Sequence, residues 1–319
     1  MINNKILISV VMPAFNAGLY IEEAIKSILI QTYSNFELII VDDFSTDDTI
    51  SKVKGFDDPR IVLLQNVNNE GIVYSLNKGI SVSKGLFIAR MDSDDISVIN
   101  RLELQIGQFL NNTRLVLCGT WYNVLCNNVI VRQVYLPISD NDIKKRLVFH
   151  NPFCHPSVMF KRELWDIVKY KRENVGCEDY AFWLDCEKFG KFYNIPKPLL
   201  LYRVHNNNVS LKRNSIRDSR LLDLFKINIQ KHFGINLKSR NLCSSDISIL
   251  LNTMRNDKVS YEGFIEYLLN YKLFKISHFF NYGVLAIITY IKLFVVVKIN
   301  NLRYRTNIYW IERGRLFNK

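Results

Sequence analysis

The chain has 319 residues and a formal net charge of +12 at pH 7, and that charge is unevenly placed: residues 213–319 hold 18 of the 42 basic residues but only 7 of the 30 acidic ones. Residues 1–212 are therefore close to neutral, a domain boundary falls near Lys212, and the basic tail carries no recognised nucleic-acid module, so no nucleic-acid partner is expected. The six cysteines (Cys118, Cys126, Cys154, Cys177, Cys186, Cys243) contain no C-x-x-C pair and no zinc spacing, so they read as small apolar residues of a reducing compartment.

The first apolar run, Ile6 to Met12, is of strand length, is stopped by Pro13, and is too short for a signal-peptide core with a cleavage site. Leu19 to Gln31 has helical spacing, with Leu19, Ile21, Ala24, Ile25, Ile28 and Leu29 apolar. A second strand, Phe36 to Val41, runs into Asp42-Asp43, after which Thr46 reads as the N-cap of a short helix. A third strand, Ile61 to Leu64, leads through Asn68-Asn69-Glu70-Gly71 to a helix over residues 72–83. The fourth strand, Leu86 to Ala89, ends in Arg90-Met91-Asp92-Ser93-Asp94-Asp95. Strands alternating with helices predict a parallel sheet covered on both faces, with ligands bound beyond the carboxyl ends of the strands. Asp42, Asp43, Asn69, Asp92 and Asp94 all lie at or just after such ends and should converge on one rim.

Three carboxylates within four residues repel one another unless a cation intervenes. Asp92 and Asp94 share strand parity and could grip one hard divalent ion, Mn²⁺ or Mg²⁺. Magnesium fills its remaining positions with water and substrate phosphate, so the cluster points to a phosphate-bearing substrate. The alternative is a solvated turn in which Asp95 caps the next helix. No glycine-rich phosphate loop follows the first strand, which argues against a dinucleotide-binding or P-loop domain.

Several segments resemble, in order, the inverting glycosyltransferases of family 2. They are Val10 to Asn16, Ser27 to Tyr33, Phe36 to Asp47, Asn69-Glu70-Gly71, Ser75 to Gly79, Ile88 to Asp95 and Arg101-Leu102-Glu103. Later come Asn151-Pro152, His155 to Phe160, Glu178-Asp179-Tyr180 and Tyr202 to His205. The resemblance implies a GT-A fold: a doubly wound, mostly parallel, Rossmann-like α/β sheet, with the helical, basic tail as an extension. It implies a donor half over about residues 1–120 and an acceptor half over about 121–212. On the donor side it places Pro13, Ala14, Asn16, Asp42, Asp43, Asn69, Arg90 and Asp92, with Asp43 against the nucleotide base. Asp92 and Asp94 match the family's metal-binding pair, and Asp179 its general base. Phe44 departs from the glycine that many members carry after the two acids. No Gln-x-x-Arg-Trp motif of processive members is present, so one sugar per encounter is expected.

Other residues carry two readings each. His205, at the end of the run from Leu199, could complete the metal shell or face the diphosphate, or be an ordinary strand-end histidine. His155 could line the acceptor side together with Glu178, or serve structurally beside Pro156. Arg90 could neutralise the diphosphate or pair with the neighbouring aspartates. Asp179 could instead only complement a helix macrodipole.

Residues 215–233 read as a helix ended by Gly234, and a second helical region runs from about Ser244 through Phe274. His278 to Val297 is apolar at nearly transmembrane length but contains Lys292, and residues 298–319 interleave Lys and Arg with Tyr and Trp. Such a tail suits an anionic membrane surface; a true span, or a buried helix or dimer contact, are the alternatives. The expectation is an enzyme peripheral on the cytoplasmic, inner face of a bacterial plasma membrane. It would take a nucleotide-diphosphate sugar, a UDP-sugar foremost, and a saccharide or polyprenyl-linked acceptor. A sugar nucleotidyltransferase and a non-catalytic sugar-binding or assembly protein are the rival readings.

Overall fold

A computed structural model defines residues 6–205, 208 and 215–234. The chain divides into two compact units, residues 1–144 with 151–217, and residues 145–150 with 218–319.

The first unit opens with β1 (Ile8–Ala14), α1 (Ile21–Leu29), β2 (Phe36–Asp42), α2 (Thr49–Lys54), β3 (Ile61–Gln65), α3 (Ile72–Val82) and β4 (Phe87–Arg90). It continues through β5 (Ile96–Ser97), α4 (Arg101–Asn111), β6 (Leu115–Cys126), β7 (Val129–Val134), α5 (Asp140–Leu147), β8 (Met159–Lys161), α6 (Arg162–Ile167), α7 (Glu178–Cys186) and β9 (Lys191–Val204). One sheet holds all the strands in the order β3-β2-β1-β4-β8-β6-β9-β5, with β7 added on β6. The expected parallel layer is β3-β2-β1-β4. Beyond it β8 runs antiparallel to β4 and β6, while β9 runs parallel to β6 and antiparallel to β5.

Strand parity sorts the core. Val10, Met12, Leu38 and Ile40 face α1 and α4, burying Ile21, Ala24, Ile25, Ile28, Leu102, Ile106 and Phe109 in one cluster. On the opposite face α3 approaches so closely that a Cβ on Gly79 would lie 2.7 Å from Val11 and 3.0 Å from Val41. The helices thus cover both faces, as the alternation predicted.

Two local expectations are corrected. β1 does not stop at Pro13 but continues through it to Ala14, paired with β2. The proline nitrogen faces the side on which β4 has already ended opposite Val11, so no ladder hydrogen bond is lost. Thr46 is not an N-cap, because α2 begins three residues later; its amide instead donates to Asn16 Oδ1 at 2.8 Å.

In the second unit, α8 (Ser215–Phe233) has the predicted bounds. It ends at Gly234, whose φ of 68° suits glycine and whose amide donates to the Gln230 carbonyl at 2.9 Å. Leu224, Phe225 and Ile229 are buried, and Phe225 packs against Phe149 with ring centroids 6.3 Å apart. Among the described residues no helix is long and apolar enough to cross a membrane. The segments predicted from Ser244 onward lie outside the described residues.

Candidate active site

The loops after β1, β2 and β4 open on the same edge of the parallel layer. The first two are laced together. Asn16, at φ 48°, donates its amide to Ser45 Oγ (2.9 Å), Ala17 donates to Thr49 Oγ1 (2.8 Å), and Gly18 donates to Asp47 Oδ2 (2.9 Å). Phe44 adopts φ 66°, the left-handed conformation that glycine would take without strain, and its ring is half exposed. The departure from glycine therefore keeps the turn and strains it.

Asp42 and Asp43 are both buried at this rim. Asp43 Oδ1 accepts from Asn66 Nδ2 (2.7 Å) and the Glu70 amide (2.9 Å), and its Oδ2 accepts from the Gly71 amide (2.8 Å). A carboxylate has about four acceptor positions, so Asp43 retains room for one more donor. Asp42 Oδ2 accepts from the Ser45 amide, whereas its Oδ1 has no partner among the described residues. Asn69 is exposed, and the asparagine that enters the network is Asn66, which also accepts from Lys78 Nζ at 2.8 Å. Sequence reasoning missed Asn66 because nothing in a run of polar loop residues says which one turns inward.

The acidic turn behaves differently. Asp92, Asp94 and Asp95 each offer an oxygen within 4.8 Å of the others. Burial pushes the Asp92 carboxyl up, opposed by Arg90, with Asp94 and Asp179 adding to the rise. Asp95 is raised well above the ordinary range, first by burial and then by Asp92 and Asp94. Arg90 pairs with Asp92 at 2.5 Å. His205 Nε2 lies 2.9 Å from Asp94 Oδ2. Asp95 does not cap a helix. It leads into β5, its Oδ1 accepts from the Arg203 amide at 2.7 Å, and its buried Oδ2 has no partner among the described residues.

An unpartnered buried carboxylate oxygen, crowded by two further carboxylates with an imidazole alongside, suits a hard divalent cation. The residues present fit Mn²⁺ or Mg²⁺.

What brings His205 to this turn is the pairing of β5 with β9, Ile96 opposite Leu201 and Ser97 opposite Leu200. The same pairing delivers Arg203, to which sequence reasoning gave no role. Its Nε donates to the Asp94 carbonyl at 2.8 Å. Behind the turn a second buried arginine, Arg101, donates to the carbonyls of Arg90 (3.1 Å) and Pro156 (2.6 Å), and burial lowers its pKa to about 10.

Asp179 stands in the first turn of α7. Its Oδ2 accepts from Asn151 Nδ2 at 2.5 Å and its Oδ1 from the Tyr180 amide at 2.7 Å, while burial raises its pKa. Asn151, in the Asn151-Pro152 motif, carries no expected role from the sequence. Glu178 precedes Asp179 at the start of α7. It is buried, accepts from the Gly176 amide at 2.7 Å, and is pushed up to about 7, first by burial and then by Asp179. His155 is buried with Nε2 3.0 Å from the Tyr170 hydroxyl, and burial, then Arg90, drives its pKa well below the usual value.

Comparison with known proteins agrees with this architecture. The glycosyl transferase family 2 profile matches residues 9–167. The Escherichia coli enzyme WfgD, a UDP-Glc:α-D-GlcNAc-diphosphoundecaprenol β-1,3-glucosyltransferase, is 42% identical over 195 residues, spanning 57% of this chain and 70% of its own. Staphylococcus aureus TarS in complex with UDP-GlcNAc superposes with a TM-score of 0.58 at 17% identity, over 83% of this chain and 80% of that one. The Pyrobaculum calidifontis mannosyltransferase PcManGT in complex with GDP-Man and Mn²⁺ gives 0.53 at 16% identity, over 94% and 82%. Both structural likenesses speak to the GT-A fold alone.

Proposed function

The chain belongs to glycosyl transferase family 2, and from that premise we propose that it moves one sugar, with inversion, from a UDP-sugar to a hydroxyl of a lipid-linked saccharide. Membership in a transferase family sets aside the nucleotidyltransferase and the non-catalytic assembly protein. The donor lies along the rim of Pro13, Ala14, Asn16, Asp42, Asp43 and Asn69. Asp92, Asp94 and Asp95, with His205, hold Mn²⁺ or Mg²⁺. When bound, that ion supplies positive charge against the leaving diphosphate.

Asp179 takes the proton of the acceptor hydroxyl. The acceptor oxygen then attacks the anomeric carbon from the face opposite the diphosphate, the carbon–oxygen bond to the diphosphate breaks, and the nucleoside diphosphate departs. The observation that carries this reading is the Asp179 carboxyl. It is raised by burial, oriented by Asn151 and the Tyr180 amide, and near enough to the acidic turn for its charge to be felt at Asp92. A base with its pKa moved toward the working pH is the better proton acceptor. Asn151 keeps Oδ2 in one place.

The saccharide-lipid acceptor and the UDP donor are supported by what WfgD acts on and what TarS binds, and the metal by the Mn²⁺ of PcManGT together with the fit of the acidic turn. The basic residues 213–319 would hold the enzyme on the cytoplasmic face of a membrane, an attachment supported by their charge.

The test is a panel of UDP-sugars and other nucleotide sugars with purified protein in Mn²⁺, Mg²⁺ or EDTA. Donor should be consumed only with metal. Asp94→Ala should abolish that consumption, and Asp179→Asn should bind donor without turning it over. Binding of no nucleotide sugar under any condition would overturn the assignment.

A further inference from the structure

Arg203 is heavily engaged near the acidic turn, and neither the donor rim nor the proton transfer proposed above uses it. It is 5% exposed. Besides Nε to the Asp94 carbonyl, its Nη1 donates to Asn128 Oδ1 at 2.8 Å and its Nη2 pairs with Glu23. Its guanidinium lies 4.8 Å from the centre of the Tyr20 ring. Tyr20 in turn stacks on His205, with centroids 4.9 Å apart and planes 30° apart, and His205 meets Asp94 at 2.9 Å. One planar cation therefore touches the acidic turn twice: directly through the Asp94 backbone, and through Tyr20 and His205 back to the Asp94 side chain. Its other two hydrogen-bonding anchors come from separate elements, Glu23 in the first turn of α1 and Asn128 in the β6–β7 turn. Asn127 and Asn128 take φ of 48° and 62° to make the β6–β7 turn.

We propose that Arg203 is a positioning residue for the metal site. It fixes the Asp94–Asp95 backbone and, through the Tyr20 ring, the plane of the His205 imidazole, so that the oxygens and the nitrogen are preset for one cation. This rests on the metal reading above. A five-donor planar fork is what the arrangement needs: a lysine in its place could keep the charge, but it could not bond Asp94, Asn128 and Glu23 at once from its place over the Tyr20 ring. Preorganised ligands bind a metal more tightly because less ordering remains to be done on binding, and partners that orient ligands typically change metal affinity by about 10–100-fold.

The experiment is a titration of the full-length protein with Mn²⁺ alone, free ion being read by electron paramagnetic resonance, alongside far-UV circular dichroism and thermal melts. Arg203→Lys should remain folded and bind Mn²⁺ about tenfold more weakly. Tyr20→Ala, which leaves the hydrogen bonds of Arg203 in place, should weaken binding severalfold. Asn128→Gly, which suits the positive φ and removes only one anchor, should weaken it two- to threefold without lowering the melting temperature, and it carries the test if Arg203→Lys does not fold. A merely structural arginine would shift the melt and leave the affinity of the folded fraction unchanged. Wild-type affinity in both Tyr20→Ala and Asn128→Gly would overturn the proposal. Asp94→Ala separates the two levels: if it binds Mn²⁺ like the wild type, the metal reading itself falls, and with it any role for Arg203 there.

Discussion

Two acidic turns end strands of one sheet, and they are built for opposite ends. After β2, Asp43 receives three N–H donors, two of them backbone amides, and so closes the loop that begins α3. After β4, Asp92, Asp94 and Asp95 crowd one another with fewer donors, and burial drives Asp92 and Asp95 upward. The same residue type in equivalent positions is a clamp where donors converge on it and a poised ligand where they do not. What separates the two is hydrogen-bond supply, not the count of acids.

The largest expected effect falls on the poised side. Asp179→Asn should lower turnover by about 10²–10⁴-fold with donor affinity kept, the range that a general base contributes, as read by steady-state kinetics and equilibrium donor binding. An equal loss in both would make Asp179 a binding residue.

Its neighbour Glu178 gives a pH signature. The folded-state value of about 7 lies above the ordinary 4.5, so the native state keeps a proton that the unfolded chain gives up. Stability should therefore fall as pH rises from about 4.5 to about 7, by up to roughly 3 kcal/mol, and stay low above that. Glu178→Gln should raise the melting temperature at pH 8 by several degrees and leave it unchanged at pH 4.5. A gain equal at both values would trace the effect to packing.

On the clamp side, Asp43→Ala should cost about 2–3 kcal/mol in a denaturant melt, because it strands two backbone amides and Asn66. A matching loss in Asp95→Ala would erase the contrast between the turns. The smallest effect is at Phe44, where Phe44→Gly should relieve left-handed strain and gain up to about 1 kcal/mol. A destabilised variant would mean that the ring packs against something that offsets its backbone.

Periodicity made β1 to β4, α1, α3 and the end of α8 at Gly234 legible, since each depends on side-chain spacing and on residues with one strong conformational preference. Family resemblance gave Asp92, Asp94 and Asp179 their expected roles, while His205 carried two readings. Arg203 and Asn151 lie in motifs, but their roles are not legible there, because their partners Asp94 and Asp179 lie far off in sequence. Asn69 and Asn66, or a part-exposed and a buried histidine, look alike in a string of letters.

The sequence by itself therefore determined the alternating α/β layer, the acids at its strand ends and the family, because local spacing and short motifs encode them. Only the tertiary structure decided which acid is clamped by three donors and which are poised, that His155 and Glu178 are buried, and that one arginine ties Tyr20, His205 and Asp94 together. Those outcomes depend on the pairing of β5 with β9 and on which donors reach each carboxylate, and that is settled only when distant segments meet.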